Sequence, residues 1–108
     1  MSEYPNKDGG YQAWITDLQL IAIDAPSGPK IIVECLETAE MLIKKNISYG
    51  NSALNPIRIF SKADSTEQIR VRIDDKLNRI QNDKAFPGDN DIDDLIGYLI
   101  LLKIANKS

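Results

Sequence analysis

The sequence predicts an all-α fold: a helical bundle of three main helices with an N-terminal accessory element, completed by oligomerisation. Two observations carry this. Apolar residues recur three and four positions apart through three long segments, which is the period of a helix with one buried face. The segments are separated by stretches rich in Gly, Pro, Asn and Asp, such as "DAPSGP" and "DKAFPGDND", which interrupt helices.

Residues 1–10 contain Pro5, Gly9 and Gly10 and read as a flexible N-terminal arm, with residues 11–108 forming a single domain. From Tyr11 to Ile23, "YQAWITDLQLIAI" fits two templates. Trp14, Ile15, Leu18, Ile21 and Ala22 suit a helix, whereas "LQLIAI" also alternates as a strand would; helix is favoured. Pro29 suits the first turn of the next helix, where its missing N–H costs nothing, and Ile32, Cys35, Leu36, Ala39, Leu42 and Ile43 carry that helix to Lys45. Cys35 lies in this apolar stripe and is expected as a small core residue.

"NISYGNSALNP" should be a loop, with Gly50 supplying a positive φ and Pro56 restricting the chain, followed by a short helical turn at "IRIFSKA". Ser65 stands three residues before Gln68, the spacing of a capping box, and Ile69, Ile73, Leu77 and Ile80 form a stripe, so the second main helix spans about Thr66 to Asn82. The third runs from near Asn90 to Ala105, and "LIGYLILLKI" within it is apolar on more than one face. A surplus apolar face on a chain of 108 residues predicts a homo-oligomer.

Composition excludes several function classes. Histidine is absent and Cys35 is the sole cysteine, which removes histidine catalysis, an intrachain disulfide and an ordinary zinc site. The net charge of −3 argues against general nucleic-acid binding. No apolar run approaches the roughly 18 residues of a membrane span, and "MSEYPNKDGG" lacks a signal-peptide pattern, so a cytoplasmic protein without membrane contact is expected. Charge is ordered along the chain as acid, base, acid. Glu34, Glu37 and Glu40 precede a segment holding Arg58, Lys62, Arg70, Arg72, Lys76 and Arg79, and Asp89, Asp91, Asp93 and Asp94 follow it. A small anionic ligand suits this order better than a long polyanion.

Glu37 and Glu40 share a helical face, as do Asp91 and Asp94, with Tyr98 one turn further along. If the two helices pack together, the carboxylates converge, and Mg²⁺ would relieve their repulsion while bridging to substrate phosphates. Aspartates at a helix start also cap N–H groups and offset the macrodipole, so capping stands as the alternative. Arg72, Lys76 and Arg79, at i, i+4 and i+7, could bind phosphate oxygens, against ordinary pairing with Asp74 and Asp75. Tyr49 beside Gly50 and Asn51 can stack on and read a base, with Asn55 and Arg58 nearby. Trp14 and Phe60 are expected to pack.

The runs "KKNISYGNSALNPIRIF", "IRVRIDDKLNRIQ" and "DIDDLIGYLILL" resemble the phage and prophage family called nucleotide modification associated domain 1. More distantly, the last two helices look like the all-α MazG-like nucleotide pyrophosphohydrolases, whose E-x-x-E and E-x-x-D motifs are matched by Glu37 and Glu40 and by Asp91 and Asp94, with aspartate replacing the leading glutamate of the second. Tyr98 matches their aromatic position. The resemblance implies a nucleotide ligand, a phage-infected or lysogenic host, and Mg²⁺-dependent hydrolysis of a nucleoside triphosphate to release pyrophosphate, with Glu37, Glu40, Asp91 and Asp94 as metal ligands. Its rival is a non-catalytic sponge that sequesters a cyclic nucleotide second messenger used in antiphage defence. An accessory subunit of a DNA-modification complex is a third reading.

Overall fold

The computed structural model describes residues 10–82 and 90–107. Among these residues there are four α-helices and no strand: α1 (Gly10–Ala22), α2 (Gly28–Tyr49), α3 (Ser65–Asn82) and α4 (Asp91–Lys107). The all-α expectation holds, and the ambiguous segment after Tyr11 is helical. Gly10 opens α1, while the rest of the expected arm, Asp89, and most of "DKAFPGDND" lie outside the described residues. The chain groups into two compact units, Met1–Ala39 and Glu40–Ser108, with α2 running through the boundary.

In the first unit, α1 ends in a tight turn. The amides of Asp24 and Ala25 donate to the carbonyls of Ile21 and Ala22 at 3.1 Å, and Gly28 N–H donates to Ala25. Ser27 then accepts from the Ile31 amide at 3.0 Å, starting α2 with Pro29 in its first turn as expected. A Cβ at Gly28 would fall on the Ala22 carbonyl, which is why glycine stands there.

In the second unit, α2 continues four residues past the expected Lys45. Its end is a Schellman closure: Gly50 has φ +61° and the Asn51 amide donates back to the Asn46 carbonyl at 3.1 Å. Asn51 itself sits at φ 64°, and the Asn46 side-chain amide donates to the Asn51 side-chain oxygen at 2.8 Å. Residues 56–64 are irregular, so the helical turn expected at "IRIFSKA" does not form. The reason is local. Arg58 Nη2 donates to the Lys62 carbonyl at 2.7 Å while Lys62 Nζ donates to the carbonyls of Arg58 and Ile59, so side chains satisfy backbone oxygens that a helix would otherwise have paired.

The cap of α3 is Asp64, one residue before the expected Ser65. Its Oδ1 accepts from the Glu67 amide at 2.8 Å, and Gln68 reaches back to the Ala63 carbonyl. Asn90 caps α4 by accepting from the Asp93 amide at 3.1 Å. Helices α3 and α4 pack as an antiparallel pair: Lys76 meets Asp91 and Asp94, and Ile69 lines the same cavity as Gly97 and Leu101. Ile69, only 1% exposed, is the anchor of this pair, and burial fades along the stripe until Leu77 and Ile80 face solvent. Gly97 lets α4 approach Leu42 of α2, since a Cβ there would meet Leu42 Cδ2 at 2.9 Å.

Three packing expectations are corrected, the first being Trp14, which is 41% exposed on α1. Cys35 is exposed, because α2 carries apolar residues around more of its circumference than one stripe and Val33, Leu36, Ile43 and Ile47 are exposed as well. Phe60 is 98% exposed, held outward by the braced loop.

The two glycines give an ordered prediction. Gly28→Ala should cost more than about 2 kcal/mol, since backbone must move, whereas Gly97→Ala should stay within about 1 kcal/mol of the wild type because Leu42 can turn and alanine regains helix propensity. Urea unfolding followed by circular dichroism reads the order. A neutral Gly28→Ala would contradict the close approach at Ala22.

Candidate functional site

An open cavity of about 550 Å³ lies in the second unit, walled by the end of α2, the loop after it, the first turns of α3 and the middle of α4. That volume falls in the usual range for small-molecule pockets, roughly 300–1,000 Å³. Its floor is apolar, with Leu42, Ile69 and Leu101. Its polar groups converge from four places: Lys45 and Asn46 on α2, Asn51 and Ser52 in the loop, Gln68 and Arg72 on α3, and Asp94 with Tyr98 on α4. Tyr49 adds a second phenol at the rim.

The charges are arranged unequally. Lys76, its side chain 11% exposed, sits between two aspartates, with Nζ 3.0 Å from Asp94 and 3.4 Å from Asp91. Arg79 stands 3.9 Å from the same Asp91 oxygen that Lys76 meets. Lys45 holds the second carboxylate oxygen of Asp94 at 3.1 Å. Burial alone would lower the Lys76 pKa, but its hydrogen bond to Asp94 and the charge there, then the bond to Asp91, carry it above the ordinary lysine value. Burial alone would raise Asp94, but hydrogen bonds from Lys76 and Lys45 hold its carboxyl below the usual range. Arg72 differs from these cations. It lines the cavity and forms no ion pair among the described residues.

Of the residues singled out from sequence, Tyr49, Asn51, Arg72, Asp94 and Tyr98 come together around the cavity. Asn55 and Arg58 do not line it, and Arg58 is committed to the loop carbonyl at Lys62. The basic row divides: Arg72 faces the cavity, while Lys76 and Arg79 serve the aspartates. Asp91 and Asp94 share a face as the spacing required, but the charges that meet them are lysines and an arginine. Glu40 is exposed and pairs along its own helix with Lys44 at 3.1 Å, and Glu37 is exposed one turn before it.

Among the described residues no three Asp, Glu or Cys side chains gather as a metal cage requires. Among the described residues, then, the carboxylates that the sequence motifs name for Mg²⁺ do not gather into one donor set. Sequence reasoning passed over Lys45, Asn46, Ser52 and Gln68. Lys45 and Gln68 had a legible signal, standing at one end of a helix and one turn before Arg72. Among the described helices none is long and apolar enough to cross a membrane. No family model, curated protein or solved structure matches this chain.

The triad of Asp91, Lys76 and Asp94 gives a pH-dependent prediction. Asp94, depressed in the fold, contributes stability that is present above the unfolded carboxyl value of about 3.9 and lost as pH falls through its lower folded value. Lys76, raised in the fold, contributes stability that is present below about 10.4 and lost as pH climbs through its higher folded value. Lys76→Met should cost about 3 kcal/mol at pH 7, because the mostly buried Asp94 then loses one of its two lysines, and the cost should shrink toward pH 3 as Asp94 protonates. Urea titrations at both pH values test this. An equal cost at each would assign the loss to packing.

Proposed function

We propose that the cavity of the second unit binds a nucleotide and holds it without metal-assisted hydrolysis. The observation that carries the reading is the division of charge around Asp94. Its carboxylate is already satisfied by Lys45 and Lys76, whereas Arg72 presents a guanidinium to the same cavity with no carboxylate on it among the described residues. A guanidinium facing an apolar-floored cavity suits a phosphate oxygen pair, which it can grip with two parallel hydrogen bonds. The phenols of Tyr49 and Tyr98 offer flat faces for a base, and the Asn51 side-chain N–H and the Gln68 side-chain oxygen, the halves of those amides not engaged by Asn46 and Ala63, offer a donor and an acceptor for its edge. The resemblance of "YGNS" and "DDLIGYL" to a phage nucleotide-associated family points to the same ligand class.

Hydrolysis in the MazG-like manner would need the carboxylates as metal ligands. Lys76 would have to be displaced from both Asp91 and Asp94, and Glu40 would have to leave Lys44. Sequestration needs neither change. The protein acts, on this reading, as a binding module that removes or presents a nucleotide, and homo-oligomerisation covers the apolar residues its helices leave exposed.

Arg72→Ala should weaken nucleotide binding by about ten- to a hundred-fold, the loss of one charge-assisted phosphate contact worth about 1.5–3 kcal/mol. Arg70→Ala is the control, since Arg70 is exposed and pairs with Glu67 at 3.5 Å on its own helix. Calorimetric titration with a panel of nucleoside mono-, di- and triphosphates and cyclic nucleotides compares the two variants. Equal effects from both would remove Arg72 from the site.

A further inference from the structure

Helix α4 is apolar on two opposite sides, and the second unit covers one of them. Gly97 and Leu101 lie on the side that meets Leu42 and the cavity, and Asp91 and Asp94 turn toward Lys76 on α3. On the other side Ile92, Ile96, Leu99, Lys103 and Asn106 follow one another at alternating four- and three-residue intervals, and all are exposed. This is the a/d spacing of a coiled-coil seam, so the five side chains form one stripe along the helix. Its apolar members, Ile92, Ile96 and Leu99, are 54%, 40% and 45% exposed. Half-buried Leu95, Ile100 and Leu102 flank the stripe and widen it. A helix that is apolar all round is stable where its second face is covered too. The chain has little else to draw on, since Ile69 is its one fully buried large side chain among the described residues.

The charges on this side of α4 are sorted by end. Asp93 is exposed in the first turn, Lys103 and Lys107 are exposed in the last turns, and the side between them is apolar. Neither Asp93 nor Lys103 has a salt bridge among the described residues. A surface that is negative at one end, apolar in the middle and positive at the other is complementary to itself when turned end for end. A parallel neighbour would set acid on acid and lysine on lysine, whereas an antiparallel one sets each against its opposite.

We infer that this stripe pairs with the same stripe of a second copy of the chain, α4 against α4, antiparallel about a two-fold axis level with the Gly97–Tyr98 peptide. Ile96 of each copy packs on the partner's Leu99. Ile92 packs on the aliphatic stem of the partner's Lys103, whose ammonium reaches Asp93. A lysine in a seam lowers its stability and fixes its register. Here a slide of one heptad either way would bring the two lysines or the two aspartates together. The contact is isologous, so one surface serves both copies and closes at two chains. It lies on the side of α4 away from the cavity and does not rest on the nucleotide reading.

Sedimentation equilibrium at micromolar concentration reads the association, and charge exchange reads the register. Wild type should sediment as two chains or a multiple of two. Leu99→Asp should weaken association by about tenfold or more. Asp93→Lys and Lys103→Glu should each weaken it by about tenfold, and the Asp93→Lys/Lys103→Glu double variant should return to within about threefold of wild type. All three positions are exposed, so helicity by circular dichroism should hold throughout. In a Cys35→Ser background, an Ile92→Cys chain mixed with a Lys103→Cys chain should form an interchain disulfide that neither forms alone. In the antiparallel pair each of these positions lies about 16 Å from its own copy, too far for a bridge. A monomeric wild type would overturn the proposal, as would an assembly whose mass survives Leu99→Asp. So would a disulfide formed by the Ile92→Cys chain alone, which a parallel pair would give, or a double variant no better associated than the single ones.

Discussion

The second unit depends on one part-buried cation. Lys76 on α3 sits between Asp91 and Asp94 at the start of α4, and the three side chains fix where those helices meet. An ammonium taken from water costs several kcal/mol unless its surroundings return the charge, and two carboxylates at 3.0 and 3.4 Å do so. The reverse is equally true. Against its own burial, Asp94 is held below the usual carboxylate range by hydrogen bonds from Lys76 and Lys45. The pairing also sets the register of α4, which brings Gly97 against Leu42 and Tyr98 to the cavity. The wall that a ligand would meet is therefore a consequence of how a charge problem was solved several residues away.

Much of the fold was legible because it is helical and its period is written in the apolar residues. The closure of α2 was misplaced by four residues because Asn46, Ile47, Ser48 and Tyr49 have weak helix preference, and the turn at Gly50 that carries the helix through them depends on a backbone bond from Asn51 to Asn46. The α3 cap was misplaced by one residue because Asp64 and Ser65 are both competent caps, and only geometry selects between neighbours. The loop at "IRIFSKA" was misread because a helical spacing of apolar residues says nothing of arginine and lysine side chains that take the loop carbonyls for themselves.

The site was half legible for a related reason. Helical spacing correctly put Asp91 and Asp94 on one face, and put Arg72 in line with Lys76. It could not say which charges would be consumed by the fold. Asp94 attracts Lys45 from α2 as well as Lys76 from α3, a choice made across 49 residues of sequence that no local pattern encodes. Glu40 spends its charge on Lys44, four residues away. Once these pairs are drawn, Arg72 lines the cavity with no ion pair among the described residues, while Lys45 beside it is taken by Asp94. A motif of carboxylates is a statement about possible ligands, and the neighbouring lysines decide whether they are available.

In the proposed reading the aspartates are closed by lysine and the cavity takes a nucleotide without a metal. Calorimetric titration of the protein with a nucleotide that it retains, once in EDTA and once with millimolar Mg²⁺, tests this directly when the ligand is recovered afterward and chromatographed. The same affinity within about twofold is expected in both buffers, roughly 0.4 kcal/mol at most, with the ligand recovered intact. Binding that appears only with Mg²⁺, or recovery of pyrophosphate and a monophosphate, would contradict it.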